Sequence, residues 1–227
     1  MAKPSSRKRV RGWLWLPAVA VALASAACVG KGITGASEDD APPPAPTSIS
    51  SWTGTWRYST TEDRGNGGST ISFDGTVTWE KDPAPNPSRP VLGGGVRHKL
   101  SAGRVHLSYR GTRIVTQPAL TYTCTDEGEA EASMDTGPVP EDAPGLPSNL
   151  DVAPDGQYNG LLYQRATVTI TRRCPDIGFV GSFPGEVRMA LFIRGNLSGG
   201  NRTMRGEMPP ETGGGTTETG SWDFAGR

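Results

Sequence analysis

Little in this chain has the residue types and spacing of covalent catalysis, so no catalytic residue is assigned from sequence. Its two histidines, His98 and His106, are not set in an H-E-x-x-H or comparable ligand pattern. His106 alternates with Arg104 and Ser108 and reads as an exposed strand residue. No G-x-S-x-G frames a serine nucleophile. Glu127, Glu129, Glu131 and Asp135 offer oxygens to calcium, but without the D-x-[DN]-x-[DN]-G spacing, and read as a solvated charge run. Neither a metal nor a cofactor is expected. Carboxylates are plentiful, and two facing each other across a cleft would suit glycoside hydrolysis. The remaining reactive groups are Cys28, Cys124 and Cys174. In an exported chain an odd cysteine needs a role of its own.

The first 27 residues place the chain. Lys3, Arg7, Lys8, Arg9 and Arg11 form a basic start, and Trp13 to Ala27 is an apolar run ending in small residues. Such a run is shorter than the ~20 residues that span a bilayer. It reads as a secretory signal peptide. Ala24-Ser25-Ala26 fits an A-x-A cleavage site, which would release a soluble secreted or periplasmic protein. Ala24-Ser25-Ala26-Ala27-Cys28 also resembles the bacterial lipobox, departing from it at Ser25. That resemblance implies cleavage before Cys28, acylation of its thiol and amine, and permanent attachment to a membrane. With Val29 following, it implies the outer membrane. Acylating Cys28 leaves Cys124 and Cys174 as an even pair, expected as a disulfide in an oxidising compartment.

Residues 28–50 read as a flexible tether, with Pro42 to Pro44 and Pro46 favouring extended backbone and Glu38-Asp39-Asp40 solvated. A single β domain is expected over 51–227. Trp52, Gly54, Trp56 and Tyr58 alternate with Thr53, Thr55 and Arg57. Ile71 and Phe73, then Val77 and Trp79, flank Asp74-Gly75, the dipeptide of a two-residue hairpin. Residues 82–95 read as a loop. Val105, Leu107 and Tyr109 alternate before a turn at Gly111-Thr112. Leu120 and Tyr122 share parity with Cys124. The stretch 125–160 is acidic, rich in Pro and Gly, and without apolar periodicity, so it reads as one long unstructured loop. Val168 and Ile170 lead to Cys174 at the same parity. Val187, Met189, Leu191 and Ile193 alternate, with Phe192 on the opposite face suggesting cover on both sides. Asn196 and Asn201 fall in a turn. A short strand at Thr203 to Gly206 ends before Pro209-Pro210, and the last strand carries Trp222 and Phe224.

These elements predict an all-β antiparallel fold of about eight to ten strands, a barrel in preference to a sandwich. Thr53-Gly54-Thr55-Trp56 resembles the Gly-x-Trp opening of the lipocalin and avidin superfamily of small barrels. Trp52, Trp56, Tyr58, Trp79 and Trp222 are expected mainly in the core, with a ligand-lining barrel mouth as the functional alternative.

The whole chain holds 23 basic and 23 acidic residues. Removing the five basic residues of the leader from 23 leaves 18 against 23, a net charge of −5. A mildly acidic domain without a basic stripe excludes nucleic acid as the expected partner. The expected function is a non-enzymatic cell-envelope domain that binds a small molecule, a glycan or an envelope protein. A glycan-active hydrolase with paired carboxylates and a structural lipoprotein are the alternatives.

Overall fold

The computed structural model describes residues 45–134, 136 and 148–227. The leader, Cys28, most of the tether, Asp135 and residues 137–147 of the acidic stretch lie outside the described residues. The rest is a single antiparallel sheet of nine strands. They are β1 (Ser51–Arg64), β2 (Gly67–Lys81), β3 (Val96–Gln117), β4 (Leu120–Ser133), β5 (Asn149–Val152), β6 (Gln157–Cys174), β7 (Phe179–Asn196), β8 (Thr203–Gly213) and β9 (Thr216–Gly226). The helical content among the described residues is three short 3-10 turns.

β8, β9, β1, β2 and β3 follow one another as neighbours. β3 then pairs with both β4 and β5, and so does β6, making a ring of four strands. β7 pairs with β6. The two edges, β7 and β8, touch without forming a ladder.

Period-two alternation sends one face of each long strand into a common core. Trp52 faces Trp79 across β1 and β2, and Trp56 faces Trp222 across β1 and β9. Phe73, Leu107, Leu162, Leu191, Ile193, Met204 and Phe224 complete an interior of fully buried side chains. At three glycines a side chain would not fit. A Cβ at Gly54 would lie 1.9 Å from the Asp223 carbonyl oxygen, and one at Gly75 would lie 2.2 Å from that of Arg104. At Gly206 it would lie 2.3 Å from the Trp222 indole.

Gly75 explains one difference from the sequence reading. Asp74-Gly75 is not a turn but lies mid-way along β2, opposite Arg57 and Trp56. Ile71, Phe73, Val77 and Trp79 share one parity through Gly75, so a single strand serves all four. The turn falls at Gly65-Asn66 instead. Gly111-Thr112 is likewise inside β3, which turns at Pro118-Ala119. The acidic stretch is not one loop. β4 runs through it to Ser133, and β5 and the start of β6 occupy its other end. Glu127, Glu129 and Glu131 face out, while Gly128, Ala130 and Ala132 face in. Small residues fill that inner face, so no large-apolar rhythm marks the strand. Pro209-Pro210 does not end β8, which passes them through a bulge between Met208 and Glu211. Phe192 is exposed rather than covered.

The domain also begins earlier than residue 51. Pro46 and Ile49 are buried, and the Ser50 and Ser51 amides donate to the Arg227 carbonyl, so both termini of the domain meet at one end. Fully buried His98 fixes this end. Its Nε2 lies 3.1 Å from the Ile49 carbonyl oxygen and must carry the proton, because a carbonyl only accepts. Its ring meets Trp52 edge-on at 6.5 Å. Beside it, Arg97 grips Asp151 with two hydrogen bonds of 2.7 and 2.8 Å, both side chains buried.

Burial is the main influence on His98 and lowers its pKa below the ordinary 6.5, opposed by the Ile49 and Leu150 carbonyls and Asp151 and assisted by Lys81. The unfolded chain therefore binds a proton that the folded imidazole disfavours, and stability should fall as pH drops through about 6.5. Urea midpoints at pH 7.5 and 5.5, chosen as about one unit either side of that value, should separate more for the wild type than for His98→Gln. Equal separation would remove His98 as the cause.

Candidate functional site

The described chain has a cleft at the end of the sheet opposite the termini. Strand lengths create it. β2 begins at Gly67, opposite Arg113, so residues 114–117 of β3 run on beyond their neighbour. The β3–β4 and β6–β7 hairpins together overhang the β1–β2 turn. Their inner faces continue past the apolar core and change character there.

The change is made by charge pairs. Arg172 on β6 stands directly opposite Asp126 on β4. It donates from Nε and Nη2 to the two carboxylate oxygens at 2.7 and 2.6 Å. The carboxylate beside it holds the Arg172 pKa above its ordinary value. The same guanidinium lies over the Phe183 ring, 5.1 Å from its centroid. Across the cleft, Arg64 donates to Glu62 at 2.6 Å. Tyr109 packs beside Gly111, whose Cβ, were it present, would lie 3.1 Å from the phenolic oxygen. Arg113 completes the lining and has no ion-pair or hydrogen-bond partner for its side chain among the described residues. The cleft encloses about 480 Å³ and is open to solvent.

Two covalent and polar ties hold the overhang. Cys124 and Cys174 form the expected disulfide, both buried, with Cα atoms 4.2 Å apart. They sit one step beyond the Thr125–Arg173 pair, in direct register. The Asp176 carboxylate accepts from the Thr123 amide at 3.0 Å, pinning the β6–β7 turn to β4.

The overhang is also where apolar surface reaches water. Of the seven exposed large apolar residues among those described, six are Ile114, Leu120, Ile177, Phe179, Val180 and Phe183. All six belong to these two hairpins or their turns. The seventh, Phe192, lies elsewhere on β7.

The aromatic residues singled out from sequence are brought together, but as core. Trp52, Trp56, Tyr58, Trp79 and Trp222 are all buried within one cluster. Trp222 donates to the Tyr158 hydroxyl at 3.1 Å, and Tyr158 donates to the Arg205 carbonyl. The indole nitrogens of Trp52, Trp56 and Trp79 meet no acceptor among the described residues. Burial and the nearby Glu218 carboxylate raise the Tyr58 phenol far above its ordinary value. Glu127, Glu129 and Glu131 stand at alternate positions along the outer face of β4, and Glu131 accepts a hydrogen bond from His106 at 2.9 Å. Among the described residues no three His, Cys, Asp or Glu side chains are grouped to hold a metal ion. Cys28 lies outside the described residues.

Sequence reasoning missed Tyr109, Arg113, Asp126, Arg172 and Phe183 as one site. The available signal was parity: Arg172 follows Val168 and Ile170 on the inward face. An arginine there announces the end of the core. Comparison with known protein families, curated proteins and solved structures finds no match for this chain.

Arg172→Ala should cost about 2 kcal/mol by stranding Asp126, read as a lower urea midpoint. Replacing both bridge cysteines by serine should cost about 4 kcal/mol in the chain-entropy model for their separation of 50 residues. Thiol titration of denatured, unreduced Cys28→Ala protein should find no free thiol, and two would refute the bridge.

Proposed function

We propose that this chain is a non-enzymatic binding domain held at a bacterial cell envelope by a lipid on Cys28, and that the hairpin-end cleft is its contact face. The signal-like leader and the lipobox resemblance support the anchor. Val29 after Cys28 favours the outer membrane. The sheet is best read as a barrel left open between β7 and β8, filled by its tryptophans and binding at its rim.

The observation that carries this reading is the clustering of six exposed large apolar side chains on two braced hairpins. Exposed apolar side chains gathered at one end of a domain mark an interaction site, and two of the six, Ile114 and Phe183, line the cleft itself. Position supports it further. β1 leaves the attachment end at Ser51 and reaches the cleft at Arg64, a run of 14 residues. At ~3.3 Å per residue this sets the cleft roughly 45 Å along the strand from the point where the tether joins. A domain attached at one end thus presents the cleft at the other.

The hydrolase alternative needs a free pair of carboxyl groups to serve as acid and base. The two that line the cleft, Glu62 and Asp126, are each engaged by an arginine.

Two experiments test the proposal. Cys28→Ala should move the protein out of the detergent phase; unchanged partitioning would remove the anchor. A photo-crosslinking side chain at Phe183 should give an adduct in intact cells, detected by mass. The same group at Thr53, exposed near the attachment end, should not. Equal labelling at both positions, or none at Phe183, would refute the contact face.

A further inference from the structure

We infer that the cleft takes an apolar ligand carrying a single acidic group, with the acid on Arg113 and the apolar body on Phe183. The inference rests on the binding reading of this cleft and specifies its ligand class.

Charge decides the acid. Three arginines line the cleft: Arg64, Arg113 and Arg172. Arg64 is paired with Glu62, and Arg172 donates from Nε and Nη2 to the two Asp126 oxygens. Arg113 alone keeps its guanidinium unengaged by any described residue. One cation unpaired among the described residues suits one anion, and a planar guanidinium binds a carboxylate or sulfonate through parallel N–H donors. The Tyr109 hydroxyl, on the same face of β3 two residues beyond Gly111, supplies a further polar group.

The apolar half of the ligand is set by Phe183. Its ring is half-exposed yet held from behind by the Arg172 guanidinium, which is itself fixed to Asp126. A ring immobilised in this way binds without losing further rotamer freedom, which favours affinity. Phe179, at the same parity of β7, extends the apolar surface towards the hairpin tip. The volume of 480 Å³ lies within the range of small-molecule sites.

The test uses two dyes that share one aromatic skeleton. The purified protein should bind 1-anilinonaphthalene-8-sulfonate at one saturable site, and also the uncharged N-phenyl-1-naphthylamine. Arg113→Gln should weaken the sulfonate about tenfold, the value of one charge-assisted hydrogen bond, and change the neutral dye by less than about twofold. Arg113→Lys should restore part of the loss. Phe183→Leu should weaken both dyes, and Arg173→Gln, exposed outside the cleft lining, should weaken neither. Thermal unfolding of each variant separates lost binding from lost fold, since Arg113 is itself exposed. Absence of saturable sulfonate binding would overturn the inference. So would an Arg113→Gln variant that binds both dyes as the wild type does, or loses both equally. Co-sedimentation with phosphatidylglycerol vesicles in the absence of dye binding would overturn it in favour of a bilayer surface. The dyes report on purified protein and the photo-crosslinks on cells, so the ligand class and the contact face fail separately.

Discussion

The junction between β4 and β6 is the constraint on which the architecture rests. Only three residue pairs are in register there, Thr125–Arg173, Asp126–Arg172 and Glu127–Thr171. So short a ladder contributes little by itself, yet it closes the ring formed with β3 and β5. It is braced on one side by the Cys124–Cys174 bridge and across its middle by the Arg172–Asp126 pair. The same pair ends the apolar interior and supports Phe183. Stability of the ring and shape of the cleft therefore depend on one set of contacts. The bridge acts on the unfolded chain, by limiting loop entropy. The ion pair acts on the folded one, by satisfying a carboxylate that has little access to water.

The remaining seam of the sheet is handled differently. β7 and β8 are edges that touch but do not pair. Unpaired edges invite association with other strands. Here β8 carries Pro209 and Pro210 at a bulge, which removes donors and interrupts the template. Side chains close the seam where backbone does not: a Cβ at Gly220 would lie 2.4 Å from a Leu191 methyl, so β7 packs tightly onto β9 behind the edge. The interior is thus continuous even though the hydrogen-bond ladder is not.

How much of this was legible in the sequence depended on which residues faced in. Strands that bury large apolar groups at alternate positions, such as Trp52 to Tyr58 and Val187 to Ile193, could be read directly. The Cys124–Cys174 bridge followed from parity and from cysteine number. β4 could not be read this way, because Gly128, Ala130 and Ala132 fill its inner face and glutamates its outer one. The Asp74-Gly75 dipeptide misled because a glycine permitting close backbone approach has the same letters as a glycine in a turn. The cleft was hidden for a third reason. Its residues come from six strands, and their convergence depends on register, which local pattern does not specify.

The overhanging hairpins carry an inherent liability, since exposed phenylalanines in β structure promote aggregation. Charge offsets part of it. Arg110 and Arg113 on β3 and Arg173 on β6 are interspersed with the apolar residues and exposed. Such placement discourages stacking of one overhang on another, because like charges would be forced together. The arrangement therefore opposes self-association at this end while leaving an apolar surface open to a ligand of opposite charge. The attachment end shows the contrasting solution. There Arg97 is buried, paired with Asp151 and further donating to the Arg89 and Pro90 carbonyls, so its charge is satisfied internally. One end of the sheet neutralises Arg97 beside the chain termini, and the other leaves Arg113 without an ion-pair partner among the described residues at the rim of a cleft.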